Sequence, residues 1–239
     1  MNMHRVGRIP DWERIDPSEW NEWQRRAAAT KGWDTPGNRE TVKGGIACGL
    51  GLWAISKDIP FVGTALMGWG RWKDIQDGRK AEATGTKSPG GEILDAAMDR
   101  VVQGAAIPVL HSKGIITDFE AAALAGEGIA NAASSITAKY ITRREIHPSR
   151  VGKVFAFATW SGLGVLSLAH DFERVGVFAN TQERLKTLGH GLLKLGLAGG
   201  AVAGVGYIMD AATGTPIEQS DPGLASNLNL QHARPDTGV

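Results

Sequence analysis

The chain has little cysteine, almost no net charge and no long apolar run, and each shortage excludes something. One cysteine, Cys48, among 239 residues rules out an internal disulfide and any cysteine-based zinc site. It lies in the apolar, Gly-rich stretch GGIACGLGLW and reads as a small packed hydrophobe. Lys and Arg number 26 against 25 Asp and Glu, a formal net charge of +1. Global charge therefore gives no attraction to nucleic acid, and no nucleic-acid partner is expected. The first residues, MNMHRVGRIPDWERID, lack the apolar core that a secretory signal needs. His4, His111, His147, His170, His190 and His232 show no metal-ligand spacing, and there is no phosphate loop, nucleophile elbow or zinc motif.

Mean hydropathy is −0.15, and no window offers the roughly 18–20 uninterrupted apolar residues of an unambiguous membrane span. Instead there are six interrupted apolar windows, at about 41–56, 59–72, 93–110, 115–140, 151–169 and 188–208. The 32 glycines matter here. In GGIACGLGLW, WSGLGVL and GLAGGAVAGVGY small residues recur at near-helical intervals, as close helix contact in lipid requires, whereas each Gly costs a soluble helix about 1 kcal/mol relative to Ala. Asp95, Asp99, Glu120, Glu127 and Lys194 interrupt the windows, and in a bilayer they are expected to face the bundle interior. The fold class expected is all-α: a polytopic membrane protein of six transmembrane helices with an N-terminal amphipathic surface helix. A soluble helical bundle fits the composition nearly as well. The Gly-rich faces also permit a homodimer.

Three parts are expected along the chain. Residues 1–34 form an amphipathic interfacial segment, with a helix starting near Asp16-Pro17-Ser18 that puts Trp20, Trp23 and Ala27 on one side. Residues 35–212 hold the six helices. Residues 213–239, rich in Pro, Gly, Asn, Gln and Asp, read as a disordered tail. Lys and Arg concentrate at 71–87 and 143–153, which by the positive-inside tendency places both regions on the cytoplasmic side of a cell membrane.

The chemistry concentrates in four aspartates, in the frame Asp74-x2-Asp77-Gly78-x2-Ala81 followed by Gly91-x3-Asp95-x3-Asp99. On helices, spacings of three and four put each pair on one face, so two helices can present four carboxylates together. Clustered carboxylates repel, and a hard cation with oxygen ligands neutralises them; magnesium or manganese held by a few carboxylates is usually completed by substrate phosphates. Asp74, Asp77 and Asp95 are the candidate ligands. Gly78 and Gly91 flank them and let phosphate groups approach the backbone. A solvated acidic helix face is the ordinary alternative for any isolated pair.

This frame resembles the signature of the CDP-alcohol phosphotransferase family, D-x2-D-G-x2-A-R-x8-G-x3-D-x3-D, and reads here DIQDGRKAEATGTKSPGGEILDAAMD. Every metal position is filled, while the family's Arg after the Ala is Glu82. Upstream, Thr35-Pro36-Gly37-Asn38-x2-Thr41 is similar to the family's P-N-x2-T segment, with Gly37 inserted. Downstream, Pro148-Ser149-x2-Gly152-Lys153 is similar to the P-S-x2-G-K element of members with phosphorylated acceptors, although the Thr that commonly follows is Phe155 or Ala156.

The resemblance, over roughly residues 35–209, implies transfer of the substituted phosphate of a CDP-alcohol such as CDP-diacylglycerol to an acceptor alcohol, releasing CMP, in phospholipid synthesis. It implies that Asp99 is the general base and doubles as a metal ligand. Asn38, Thr41, Asp74, Gly78, Ala81 and Gly91 would line the CDP site. Arg143, Arg144, Arg150 and Lys153 would bind a phosphorylated polyol such as glycerol 3-phosphate or inositol phosphate. The reversed charge at Glu82 leaves a second reading, a membrane scaffold that keeps the fold without the activity.

Overall fold

A computed structural model of the chain describes residues 10–136 and 150–213. The described part is all-helical. A short N-terminal helix, α1 (Glu22–Ala29), precedes six long ones: α2 (Pro36–Ser56), α3 (Val62–Thr84), α4 (Pro89–Ser112), α5 (Asp118–Ile136), α6 (Arg150–Val175) and α7 (Ala179–Thr213). Each apolar window of the sequence falls on one of the six. The expected tail at 214–239 and most of the basic segment at 143–153 lie outside the described residues.

Local chemistry sets the helix ends that matter for the site. Thr35 caps α2 by accepting from the Asn38 N–H, and Pro36 follows in the first turn, where its missing N–H costs nothing. Ser88 and Pro89 repeat the arrangement at α4. Between them α3 stops at Gly85, whose φ of +62° is the left-handed conformation that a side chain resists.

The helices pair through glycine seams. On α2, Gly37, Gly44 and Gly51 recur every seven residues; on α3, Gly63, Gly70 and Asp77 do the same. A Cβ at Gly51 would stand 2.8 Å from the Gly63 carbonyl oxygen, one at Gly44 2.9 Å from that of Gly70, and one at Gly37 3.0 Å from that of Asp77. The paired numbers have a constant sum, so the seam is one antiparallel register, in which only glycine lets the backbones come this close. The α6–α7 hairpin is built the same way, with Gly162 against Leu193, Gly189 against Leu166 and Gly196 against Thr159.

The apolar core lies toward one end of the bundle, where Leu52, Ile55, Leu110, Leu124, Leu166 and Leu193 meet. Polar staples close that end. Asp58, in the α2–α3 loop, pairs with Lys113 after α4 at 2.8 Å and with Arg174 on α6 at 3.5 Å. Thr64 donates to Asp171 at 2.5 Å, joining α3 to α6. The fully buried Glu120 of α5 meets His190 of α7 at 2.7 Å, as expected of an interior charge. Lys194 departs from that expectation: Leu193 and Gly196 turn inward, and Lys194 lies exposed on the opposite face of α7.

The N-terminal segment also departs from its expected form. Asp16 caps only a short 3-10 turn, Pro17–Glu19, and α1 begins later, at Glu22, where Asn21 and Gln24 form a capping box. The intervening Trp20 indole donates to the carbonyls of Trp12 and Ile15, which holds the chain away from helix. The segment docks on the α3–α4 turn. The Asp11 N–H donates to the Lys87 carbonyl, and the Asn21 amide to that of Thr84.

Two predictions follow from this packing. Gly70→Ala, which would put a methyl against the Gly44 carbonyl, is expected to cost about 1–3 kcal/mol as overpacking, whereas Gly68→Ala, with open space around it, is expected to be neutral or to raise stability by up to about 1 kcal/mol. Thermal unfolding of the two variants, read as opposite shifts in Tm, checks this.

The hydrogen bond from Lys113, with Arg174 and His170 nearby, holds the Asp58 carboxyl below its usual range. A depressed carboxyl stabilises the fold above its unfolded pKa and loses that contribution as pH falls through the folded value. Asp58→Asn is therefore expected to lower Tm near neutral pH, with the difference from the parent closing as pH drops below about 4.

Candidate metal centre

The seam that pairs α2 with α3 also sets the position of Asp77. Its backbone carbonyl is the third contact of that seam, opposite Gly37, and its side chain is buried among α2, α3 and α4. The Thr41 hydroxyl donates to Asp77 Oδ2 at 2.6 Å, and the Gly78 N–H donates to Oδ1 at 2.5 Å. These two donors fix the carboxylate. Asp74 lies one turn earlier on α3, and Asp95 comes across from α4.

One oxygen from each of Asp74, Asp77 and Asp95 lies within 4.8 Å of the other two. Two ligands on opposite sides of a magnesium ion are about 4.2 Å apart, and the separation is larger for calcium, so the triad has the dimensions of a cation site. The carboxylates of Asp74 and Asp95 thus come together from α3 and α4. Carboxylates this close repel, and a cation among them would offset that repulsion. The three residues can hold a metal ion.

Asp99 stands beside the triad rather than in it. Its Oδ1 accepts from Arg71 at 2.6 Å, and the same guanidinium reaches Asp74 Oδ2 at 2.9 Å. Arg71 in turn lies over the Trp160 ring of α6, 4.5 Å from its centroid. The guanidinium thus ties α3 to α4 and to α6, and it offsets part of the negative charge of the four aspartates. Arg71 was missed as a site residue in the sequence. Its signal is the i, i+3 spacing to Asp74, which is common on any helix.

The other residues named from the sequence take varied places. Asn38 is buried and spends its amide donors on the carbonyls of Gly32 and Trp33, both at 3.0 Å; its Oδ1 faces Gly91, where a Cβ would come within 2.8 Å. Asn38 thus ties the start of α2 to the preceding loop and packs against α4 at Gly91. Ala81 packs on Gly37. Gly78 is exposed, with open space where a Cβ would be. Glu82 is exposed and pairs loosely with Lys87 at 3.6 Å, so the reversed charge faces outward. Lys153 is exposed on α6. Arg143 and Arg144 lie outside the described residues, as does the side chain of Arg150.

Removing Arg71 leaves the aspartates without their guanidinium. Arg71→Gln is expected to destabilise the metal-free protein by about 3 kcal/mol and to enlarge the rise in Tm on adding millimolar magnesium or manganese. In Asp95→Asn, which removes a ligand from the triad, that metal-induced rise should be lost. Thermal unfolding with and without each metal, in both variants and the parent, gives the comparison.

No protein-family model, no curated protein and no solved structure matches this chain.

Proposed function

We propose that the chain is a membrane enzyme that transfers the substituted phosphate of a CDP-alcohol, such as CDP-diacylglycerol, to an acceptor alcohol and releases CMP. The observation that carries the reading is the convergence of Asp74, Asp77 and Asp95 into one group, with Asp99 held beside it by Arg71. That convergence is what the resemblance of the aspartate frame requires of the fold. A magnesium or manganese ion in the triad would neutralise the donor's pyrophosphate and polarise the phosphorus under attack.

In this reading, the acceptor hydroxyl oxygen forms a new bond to the phosphorus that carries the alcohol. The bond from that phosphorus to the bridging oxygen breaks, CMP leaves, and Asp99 takes the hydroxyl proton. Arg71 orients the Asp99 carboxylate. Gly78, exposed and without a side chain, leaves the α3 backbone open to the donor.

The bilayer is supported from two sides. Two helices, at Gly152–Val175 and Ala179–Val205, are long and apolar enough to cross a membrane. The other long helices also turn large apolar side chains outward: Trp53 and Trp69 are about half exposed, and Val101 on α4 is 66% exposed. Exposed apolar surface on this scale is unusual on a soluble monomer. With six spans, Arg71, Arg79, Lys80 and Lys87 put the carboxylate end on the cytoplasmic side, where nucleotide-linked donors are found.

Purified protein given CDP-diacylglycerol, magnesium or manganese and a panel of polyol acceptors is expected to release CMP. Asp99→Asn should lower kcat by roughly 100-fold or more. A folded, metal-loaded preparation that yields no CMP with any acceptor contradicts the reading.

A further inference from the structure

Asp99 also lies on the wall of a cavity that the metal triad does not use. The cavity, of about 100 Å³, opens among α4, α5 and α6. Its polar wall includes Asp99, Arg100, Gln103, Glu127, Asn131 and Thr159, with Trp160 beside them, and the core residues Leu110, Leu124 and Leu163 close it. A liquid water occupies about 30 Å³, so the space suits a small polar molecule and not an acyl chain. Arg71, stacked on Trp160 and bonded to Asp99, links these two wall residues to Asp74 of the triad.

Glu127 is the telling residue. It is half-buried on α5, and among the described residues its carboxylate has neither a hydrogen bond nor an ion pair; the Arg100 guanidinium acts on it only through its charge. Its carboxylate occupies the space where Gly200 of α7 lacks a Cβ, so any side chain at 200 would displace it. Gln103 is held in place, donating to the Leu124 carbonyl at 3.3 Å and accepting from Arg100 at 3.4 Å. The Thr159 hydroxyl donates to the Phe155 carbonyl at 3.1 Å, which leaves its oxygen able to accept. The cavity thus offers the Asp99 and Glu127 carboxylates and the Thr159 oxygen as acceptors, with the Arg100 guanidinium and the Asn131 amide as donors, and a carboxylate can accept hydrogen bonds from hydroxyl groups.

We infer that this cavity seats the acceptor alcohol of the reaction proposed above, on which the inference rests, and that Glu127 selects a polyhydroxy acceptor by accepting hydrogen bonds from its hydroxyl groups. One hydroxyl of the polyol faces Asp99 for transfer, and others meet Glu127 and Thr159 at the far wall. An apolar alcohol would leave the half-buried carboxylate without donors. Glu127 is therefore a specificity-determining residue, separate from the metal ligands.

The test uses the full chain in detergent with CDP-diacylglycerol and magnesium or manganese, and measures CMP release with glycerol, glycerol 3-phosphate, inositol, serine, ethanolamine and a long-chain alcohol. The polyols are expected to be preferred. Glu127→Ala should raise the acceptor KM at least about tenfold while the donor KM and Tm stay near those of the parent, and Glu127→Gln should raise it less. Gly200→Ala, which crowds the carboxylate without removing it, should also raise the acceptor KM. Preference for serine, ethanolamine or the long-chain alcohol overturns the inference alone, as does an unchanged acceptor KM in Glu127→Ala. Absence of CMP with every acceptor overturns the phosphotransferase reading and this inference with it.

Discussion

The backbone contact between α2 and α3 is the constraint on which the rest of the structure depends. Gly37, Gly44 and Gly51 meet Asp77, Gly70 and Gly63 in one antiparallel register, with no room for a Cβ at any of the glycines. Dispersion and close backbone approach supply the attraction, and the seven-residue repeat on both helices specifies the register. Because Asp77 occupies the last position of the α3 repeat, the seam that assembles the hairpin also sets the height of the carboxylate. Thr41, one turn after Gly37, then lies where its hydroxyl reaches Asp77. Packing and site geometry have the same cause.

Electrostatics would pull this arrangement apart without compensation. Asp74, Asp77, Asp95 and Asp99 bring four carboxylates to the junction of α3 and α4, and Arg71 supplies a partly buried counter-charge to two of them. Such a cluster is costly unless it is paired and hydrogen-bonded. Much of the apolar core lies toward the other end of the bundle, around Leu110 and Leu193, where Asp58 and Lys113 pin the loops and Thr64 and Asp171 join α3 to α6. Apolar packing is thus concentrated at one end and the carboxylate cluster at the other. Arg71 is the link between them, because its guanidinium stacks on Trp160 of α6 while it holds Asp99 of α4.

Much of this was legible in the residues. The six interrupted apolar windows each fall on a long helix, and interruptions such as Glu120, Asp95 and Asp99 take buried or site-facing positions, whereas Lys194 faces outward. The convergence of Asp74, Asp77 and Asp95 could be read from i, i+3 spacing on two helices joined by a short Gly- and Ser-containing turn. The start of α1 was misplaced, because Asp16-Pro17-Ser18 is a good cap in isolation, and only the bonds from Trp20 to the Trp12 and Ile15 carbonyls show why the chain stays out of helix there. Arg71's bond to Asp99, the cavity at Glu127 and the packing of Asn38 on Gly91 depend on contacts between residues 20 to 90 positions apart. No local pattern marks contacts of that kind.

The central claim is that Asp74, Asp77 and Asp95 jointly bind a divalent cation at the α3–α4 junction. Crystals of the full chain grown with manganese and measured at the manganese absorption edge test it most directly. The account predicts an anomalous peak bonded to an oxygen of each of the three residues, with Asp99 beside it. Well-ordered density for the three side chains with no anomalous peak among them, at a manganese concentration in the millimolar range, would contradict it.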